Sequence, residues 1–157
     1  MNIRPATAAD VPQILRFIRA LAEFERLSHE VEATEARLRE TLFPEDGRPA
    51  AECILAFEGT EAAGFALFFQ TYSTFLAKPG IHLEDLFVVP AKRGRGIGRE
   101  LLLHLARLAN SRGCGRMEWT VLDWNERAVK FYEAIGARRL DDWTICRLTG
   151  ETLAKYA

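Results

Sequence analysis

At 157 residues the chain has the length of one compact domain, expected to span 1–157. Its 48% hydrophobic and 27% charged content is that of an ordinary globular protein. Lysine and arginine number 21 against 22 aspartate and glutamate, and the resulting charge of −1 excludes bulk attraction to nucleic acid or to an anionic membrane.

Residues 2–5 are too short to classify, but Val11, Ile14, Leu15, Ile18, Leu21 and Ala22 recur at helical spacing, with Thr7 and Asp10 as a start signal. A second helix is expected from Thr34 to Phe43, stopped by Pro44 and the Asp46–Gly47 turn. Residues 52–58 and 62–72 read as a hairpin across the EGTE turn, and 73–80 as a loop. His82 to Val89 reads as a third strand ended by Pro90. A basic glycine-rich turn then opens a helix to about Arg112, with Ile97, Leu101, Leu105 and Leu108 on its apolar face. Residues 116–121 form a strand, Asn125 to Ile135 a helix, and 143–148 a last strand. The order implies a mixed α/β fold with helices over one face of a sheet.

Cys53, Cys114 and Cys146, with His29, His82 and His104, show no metal-ligand spacing, so isolated thiols and no metal are expected. The first residues carry charge by position four, and no stretch approaches the ~20 apolar residues of a membrane span. No leader, no membrane contact and a cytoplasmic location are the expectations. Cys114 with His104 is a poor nucleophile–base pair, since ten helical residues separate them by about 15 Å.

The sharpest feature is Arg93–Gly94–Arg95–Gly96–Ile97–Gly98 between a strand and a helix, with Arg99 following. A helix N-terminus exposes unpaired N–H groups at the positive end of its dipole, and glycines let that backbone approach a phosphate. The alternative is a glycine-rich turn with solvated arginines. It is not a P-loop, because Arg99–Glu100 stand where Lys-Ser/Thr would follow. Nor does it open a βαβ unit of the dinucleotide-binding kind.

The R-x-x-G-x-G pattern of Arg93, Gly96 and Gly98, after LEDLFV and before a long amphipathic helix, resembles the acyl-CoA signature of the GNAT N-acetyltransferase superfamily. LAEFE at 21–25, YSTF at 72–75, LEDLFVVP at 83–90 and VLDWNERAVKFYEAIGA at 121–137 resemble its diamine acetyltransferase branch, which includes spermidine/spermine and thialysine acetyltransferases. The resemblance covers nearly the whole chain. It implies a central, mostly antiparallel sheet with flanking helices, acetyl-CoA as co-substrate, a primary amine as acceptor, direct transfer in a ternary complex, and a homodimer. It places the diphosphate of acetyl-CoA on the amides of Gly94 to Arg99, and pantetheine along Leu86, Phe87 and Val88.

An alkyl ammonium has a pKa near 10.4 and must lose a proton before it attacks. Glu84 is the candidate base. Period-two alternation puts Leu83, Asp85 and Phe87 on one face and Glu84, Leu86 and Val88 on the other. The alternative for Glu84 is a structural pair with an arginine. Tyr132 is the candidate acid, a phenol able to protonate a leaving thiolate, with core packing beside Phe131 as the alternative. The resemblance carries Glu84 to the substrate amine and Tyr132 to the CoA sulfur. Asn125 has the chemistry of an N-cap, and by resemblance also contacts CoA; Arg127 stands where many relatives have proline. Phe24 and Glu25 match the family's substrate-lining pair, and with Glu84 and Asp85 suit a polycationic amine. Two other classes share parts of the pattern: an acyl-CoA-binding sensor lacking acid and base, and a nucleic-acid-binding domain, which the absence of a wider basic face disfavours.

Overall fold

In the computed structural model, which describes residues 1–157, four of the five segments read as extended join one sheet with a short N-terminal strand. The elements are β1 (Asn2–Pro5), α1 (Val11–Phe24), α2 (Glu35–Leu42), β2 (Glu52–Glu58), β3 (Glu61–Ser73), β4 (Lys78–Val88), α3 (Ile97–Ser111), β5 (Arg116–Trp119), α4 (Glu126–Ala134) and α5 (Gly150–Ala154). The strands lie in sequence order. All neighbours are antiparallel except β4 and β5, which run parallel and are joined by α3. The chain divides into two compact units, Met1–Thr120 with the sheet and α1–α3, and Val121–Ala157 with α4 and α5.

The helices of the first unit cover both faces of the sheet, not one. Phe65 of β3 stacks on Phe17 of α1, with ring centroids 5.5 Å apart, and Phe87 of β4 meets the same ring at 5.7 Å. Phe68, three residues along β3 and so on the opposite face, lies under the guanidinium of Arg112 at the end of α3. Double cover explains why Cys53–Ala56 and Ala63–Ala66 are buried without alternation: strands packed on both faces read as continuous apolar runs. Full burial of each large aromatic contributes about 1.5–3 kcal/mol. The parallel step from β4 to β5 requires a crossover helix, and α3 supplies the second layer.

Thr7 and Asp10 act as the spacing predicts. The Asp10 carboxylate accepts from the Thr7 N–H at 2.8 Å ahead of α1, and Arg4 of β1 grips it with two bonds of 2.8 Å. That grip, more than the turn, holds Asp10 far below the ordinary carboxylate range.

Two expectations are corrected here. Lys78–Gly80, read as loop, pair with Thr71–Ser73 as the start of β4, because Pro79 sits near an end of the ladder where a missing N–H is tolerated. Residues 143–148 form no strand. Their alternating pattern is real, but an isolated extended segment has no ladder to satisfy its backbone.

Gly64 marks the tightest approach within the sheet, since a Cβ there would stand 2.5 Å from the Phe87 carbonyl oxygen. Gly64→Ala is therefore expected to push β3 from β4 and destabilise the first unit by about 1–3 kcal/mol, read from the urea midpoint. An unchanged midpoint would show that the two strands can part without cost.

Candidate active site

Beside β5, strand β4 is paired only from Gly80 to Leu83. From Glu84 to Val88 it keeps β3 on one side and has no strand on the other. The Phe87 carbonyl points toward Gly64 of β3. Alternation then turns the main-chain groups of Leu86 and Val88 to the open edge, and those of Phe87 away from it. Of the three residues expected along pantetheine, Leu86 and Val88 have the geometry to pair with an added extended chain. Phe87 instead holds β4 to the core through its ring.

At the head of this edge the register slips. Leu83 is opposite Phe68 and Asp85 opposite Leu67, which leaves Glu84 as the extra residue of a β-bulge. The bulge overturns the alternation expected from sequence. Leu83 shares the α3 face with Phe68, whereas Asp85 shares the α1 face with Leu67 and Phe87. Glu84 does not join Leu86 and Val88 on the α3 face: its carboxylate lies 3.7 Å from Nε2 of His82, whose ring stacks on Phe69. Two adjacent carboxylates thus share one side of the sheet, because two residues oppose one across a bulge.

Asp85 pays for this position. Burial, then the charges of Glu84 and Glu25, push its carboxyl up to about 6. It lines a cavity of about 310 Å³ with Glu25, Glu30 and Glu32, walled by Leu21, Leu27 and other apolar groups and free of lysine or arginine. Glu25 is also raised, by burial. It reaches the cavity because α1 ends there: Leu27 N–H donates to Ala22 O at 2.8 Å, and Arg26 takes a left-handed φ of 63° without being glycine. Glu30 and Glu32 were missed by sequence reasoning; they form the exposed rim of the cavity, Glu30 beside His29 at 3.2 Å and Glu32 beside Arg37 at 3.8 Å.

Phe24, expected beside Glu25 at the substrate, is parted from it. The Arg93 guanidinium lies 4.7 Å over its ring and 5.6 Å over that of Phe87, while Arg93 Nε donates to the Val88 carbonyl at 2.9 Å. Arg93 therefore braces the end of β4 against α1. Gly94 and Gly96 have φ of 81°, the left-handed region in which a side chain is strained, and a Cβ on either would meet nothing within 4 Å. The turn leaves open space over the first amides of α3. Glu100 N–H is the first to find a helical acceptor, Gly96 O at 3.0 Å, and no acceptor of the chain reaches the amides of Gly94 to Arg99. Ile97 is buried and anchors the helix, so only its amide faces this space. The Arg95 side chain pairs with Glu58 at 3.3 Å and Arg99 with Glu100 at 3.4 Å, both on the surface.

Asn125 and Tyr132 belong to the second unit. The Asn125 side chain accepts from Ala128 N–H at 3.2 Å and caps α4, as its position predicts, and the Tyr132 ring lies 5.2 Å from that of Phe131. Cys53 is inert: burial pushes its thiol up to about 12.

A parallel-stranded fork in a mostly antiparallel sheet, with unpaired helix-start amides at its mouth, defines an acyl-donor-binding enzyme fold. Residues 18–137 match the model of the acetyltransferase (GNAT) family, and the chain belongs to that family. It is 37% identical to the thialysine N-epsilon-acetyltransferase of Mus musculus, over 99% of this chain and 96% of that protein. To the L-ornithine N5-acetyltransferase NATA1 of Arabidopsis thaliana it is 36% identical, over 97% and 86%. An integron cassette protein from the mobile metagenome of V. cholerae superposes with a TM-score of 0.79 at 26% identity, over 99% of this chain and 96% of that one. The protein is an amine acetyltransferase of this family, whose members use acetyl-CoA as co-substrate. No helix is long and apolar enough to cross a membrane.

The raised Asp85 makes a stability prediction. Native Asp85 holds its proton to about pH 6, whereas an unfolded aspartate loses it near 3.8. Its contribution is fully present below pH 3.8 and is lost as pH rises through 6, a difference of about 3 kcal/mol. Asp85→Asn should raise the thermal midpoint at pH 7.5 and leave it unchanged near pH 3.5; equal midpoints at pH 7.5 would show that Asp85 is not strained in the fold.

Proposed function

We propose that the protein transfers acetyl from acetyl-CoA to a primary amine of a small polycationic substrate, a polyamine or a thialysine- or lysine-like amino acid, directly within a ternary complex. The observation that carries the substrate class is the cavity holding Glu25, Glu30, Glu32 and Asp85 with no cationic residue in its wall. Asp85 is raised by burial and then by the charges of Glu84 and Glu25, and a second ammonium on the substrate offsets that repulsion. The named activities of the thialysine and ornithine acetyltransferase relatives, both acting on molecules with more than one amine, support the same class.

Acetyl-CoA supplies an activated acyl group and a thiolate leaving group. The residues fit it: free amides at the start of α3 meet a diphosphate, and the unpaired Leu86–Val88 edge accepts an amide-bearing chain. Gly94, Arg95, Gly96, Ile97, Gly98 and Arg99 contribute main-chain N–H groups. Arg93 acts as a brace, fixing the Val88 carbonyl so that the Val88 N–H faces the open edge, where it stabilises the oxygen on which charge develops. Glu84, at the bulge beside the acidic cavity, takes a proton from the substrate ammonium and frees the amine to attack the acetyl carbonyl. Tyr132 protonates the departing sulfur and Asn125 positions the start of its helix. The family model runs through residue 137 and so includes both residues. A homodimer is part of the same proposal, on likeness to the family.

A thiol-release assay with acetyl-CoA tests this reading. Diamines, polyamines and lysine analogues should exceed matched monoamines in kcat/KM by tenfold or more, and equal rates would remove the acidic cavity from the substrate site. Glu84→Gln should lower turnover at neutral pH by about 10²-fold, move the optimum upward and spare acetyl-CoA affinity. Tyr132→Phe should lower turnover across the whole pH range.

Gly96→Ala should weaken acetyl-CoA binding at least tenfold in calorimetry, because φ of 81° strains alanine and the turn must shift. Gly98→Ala should bind as the parent does: Gly98 lies within the helix, and its added Cβ would make an ordinary 3.6 Å contact with Val88. Equal losses at both would place the diphosphate elsewhere.

A further inference from the structure

Glu84 has one ion-pair partner in the structure, and the catalytic reading above assigns that partner nothing to do. We propose that His82 is a positioning residue for the base, which takes the substrate's proton from Glu84 and returns it to solvent; this rests on Glu84 being the base.

Three observations carry it. Side chains two apart on a regular strand stand about 6–7 Å apart, but the bulge at Glu84 brings its carboxylate to 3.7 Å from Nε2 of His82. The ring is fixed by stacking on Phe69, its register partner on β3, with centroids 5.0 Å apart and planes 28° from parallel. His82 also occupies the rung before the last at which β4 is paired with β5, so the imidazole stands where the fork opens.

The charged groups around His82 can be named from every element packed against it. On its own strand His82 faces Glu84 with Asp85 beyond it, and from α1 Glu25 stands by Asp85. On β5 its register partner is Glu118, already held by Arg116 at 2.9 Å. From β3 it meets the uncharged Phe69. The nearest groups are thus mainly acidic.

The proton balance is closed. The ammonium N–H bond breaks and the proton passes to the Glu84 carboxylate, leaving a neutral amine to attack. The resulting carboxylic acid gives that proton to Nε2 of neutral His82, which restores the carboxylate and forms an imidazolium. Water then takes the proton from the ring. Glu84 is 55% exposed and His82 24% exposed; a substrate seated on Glu84 covers that exposed side, and His82 is the base left in contact with it.

The test is steady-state kinetics over pH 6–10 with the best amine of the screen, using His82→Phe, His82→Gln, Glu84→Gln and the double variant His82→Phe/Glu84→Gln. Thermal midpoints confirm that each variant is folded, and His82→Phe keeps an aromatic ring against Phe69. The expected result is a fall in kcat of about tenfold for His82→Phe and His82→Gln at pH 7, with KM for acetyl-CoA unchanged. Imidazole in the buffer should restore part of the rate, and His82→Phe should cost nothing further when Glu84 is already Gln. Wild-type kcat in both His82 variants, with Glu84→Gln impaired, would overturn the relay and leave the base in place. A loss that imidazole does not rescue, and that is undiminished in the double variant, would overturn it as well. Wild-type turnover in Glu84→Gln would remove the base itself and the relay with it.

Discussion

Strand β4 has two neighbours but cannot satisfy both along its length. Its antiparallel partner β3 follows it to Val88, while the parallel β5 meets it over four residues and stops. The connection through α3 makes the difference: a parallel neighbour must return by a crossover, and here the crossover helix starts at the mouth of the fork. The main chain of Leu86 and Val88 is left without a ladder, and the first amides of α3 open beside it. Backbone groups that a closed sheet would consume are left free to pair with an added extended chain.

The same strand also carries two adjacent carboxylates, brought together by a second departure from regularity. Without the bulge, Glu84 and Asp85 would point to opposite faces. With it they share the α1 face, next to His82 and the cluster of Glu25, Glu30 and Glu32. Burial of Asp85 and Glu25, with the charges of Glu84 and Glu25 acting further on Asp85, costs stability, as their raised carboxyls record. Opposing it on that face are aromatic contacts among Phe17, Phe65 and Phe87, with the Arg93 brace across Phe24 and Phe87. A strained acidic site on a well-packed apolar layer is how proteins commonly trade stability for function.

The arginine-rich turn divides its labour in a way that charge counting does not anticipate. Arg93 faces inward and holds Val88; Arg95 and Lys92 are engaged by Glu58 and Glu61 on the β2–β3 hairpin; Arg99 pairs with Glu100. What remains without a partner in the turn is the backbone itself, the amides of Gly94 to Arg99. Gly94 and Gly96 matter through their left-handed φ, whereas Gly98 could carry a methyl group.

Read from the residues alone, the helices α1 to α4, the strands β2, β3 and β5, the glycine-rich turn and the Asn125 cap were all legible, because each is written in local periodicity or cap chemistry. The motif LEDLFV and its neighbours also identified the family. Four things required the tertiary structure: helices on both faces, the bulge that turns Glu84 toward His82, the inward Arg93, and the acidic cavity completed by Glu30 and Glu32. The alternation that failed at Glu84 is a rule for a strand considered alone, and register is a property of a pair. Local sequence determined which segments are helical or extended and which side chains can carry charge or protons. Only the pairing of β4 with two partners of unequal length decided where its backbone is free and which carboxylates meet, since those outcomes depend on residues far apart in the chain.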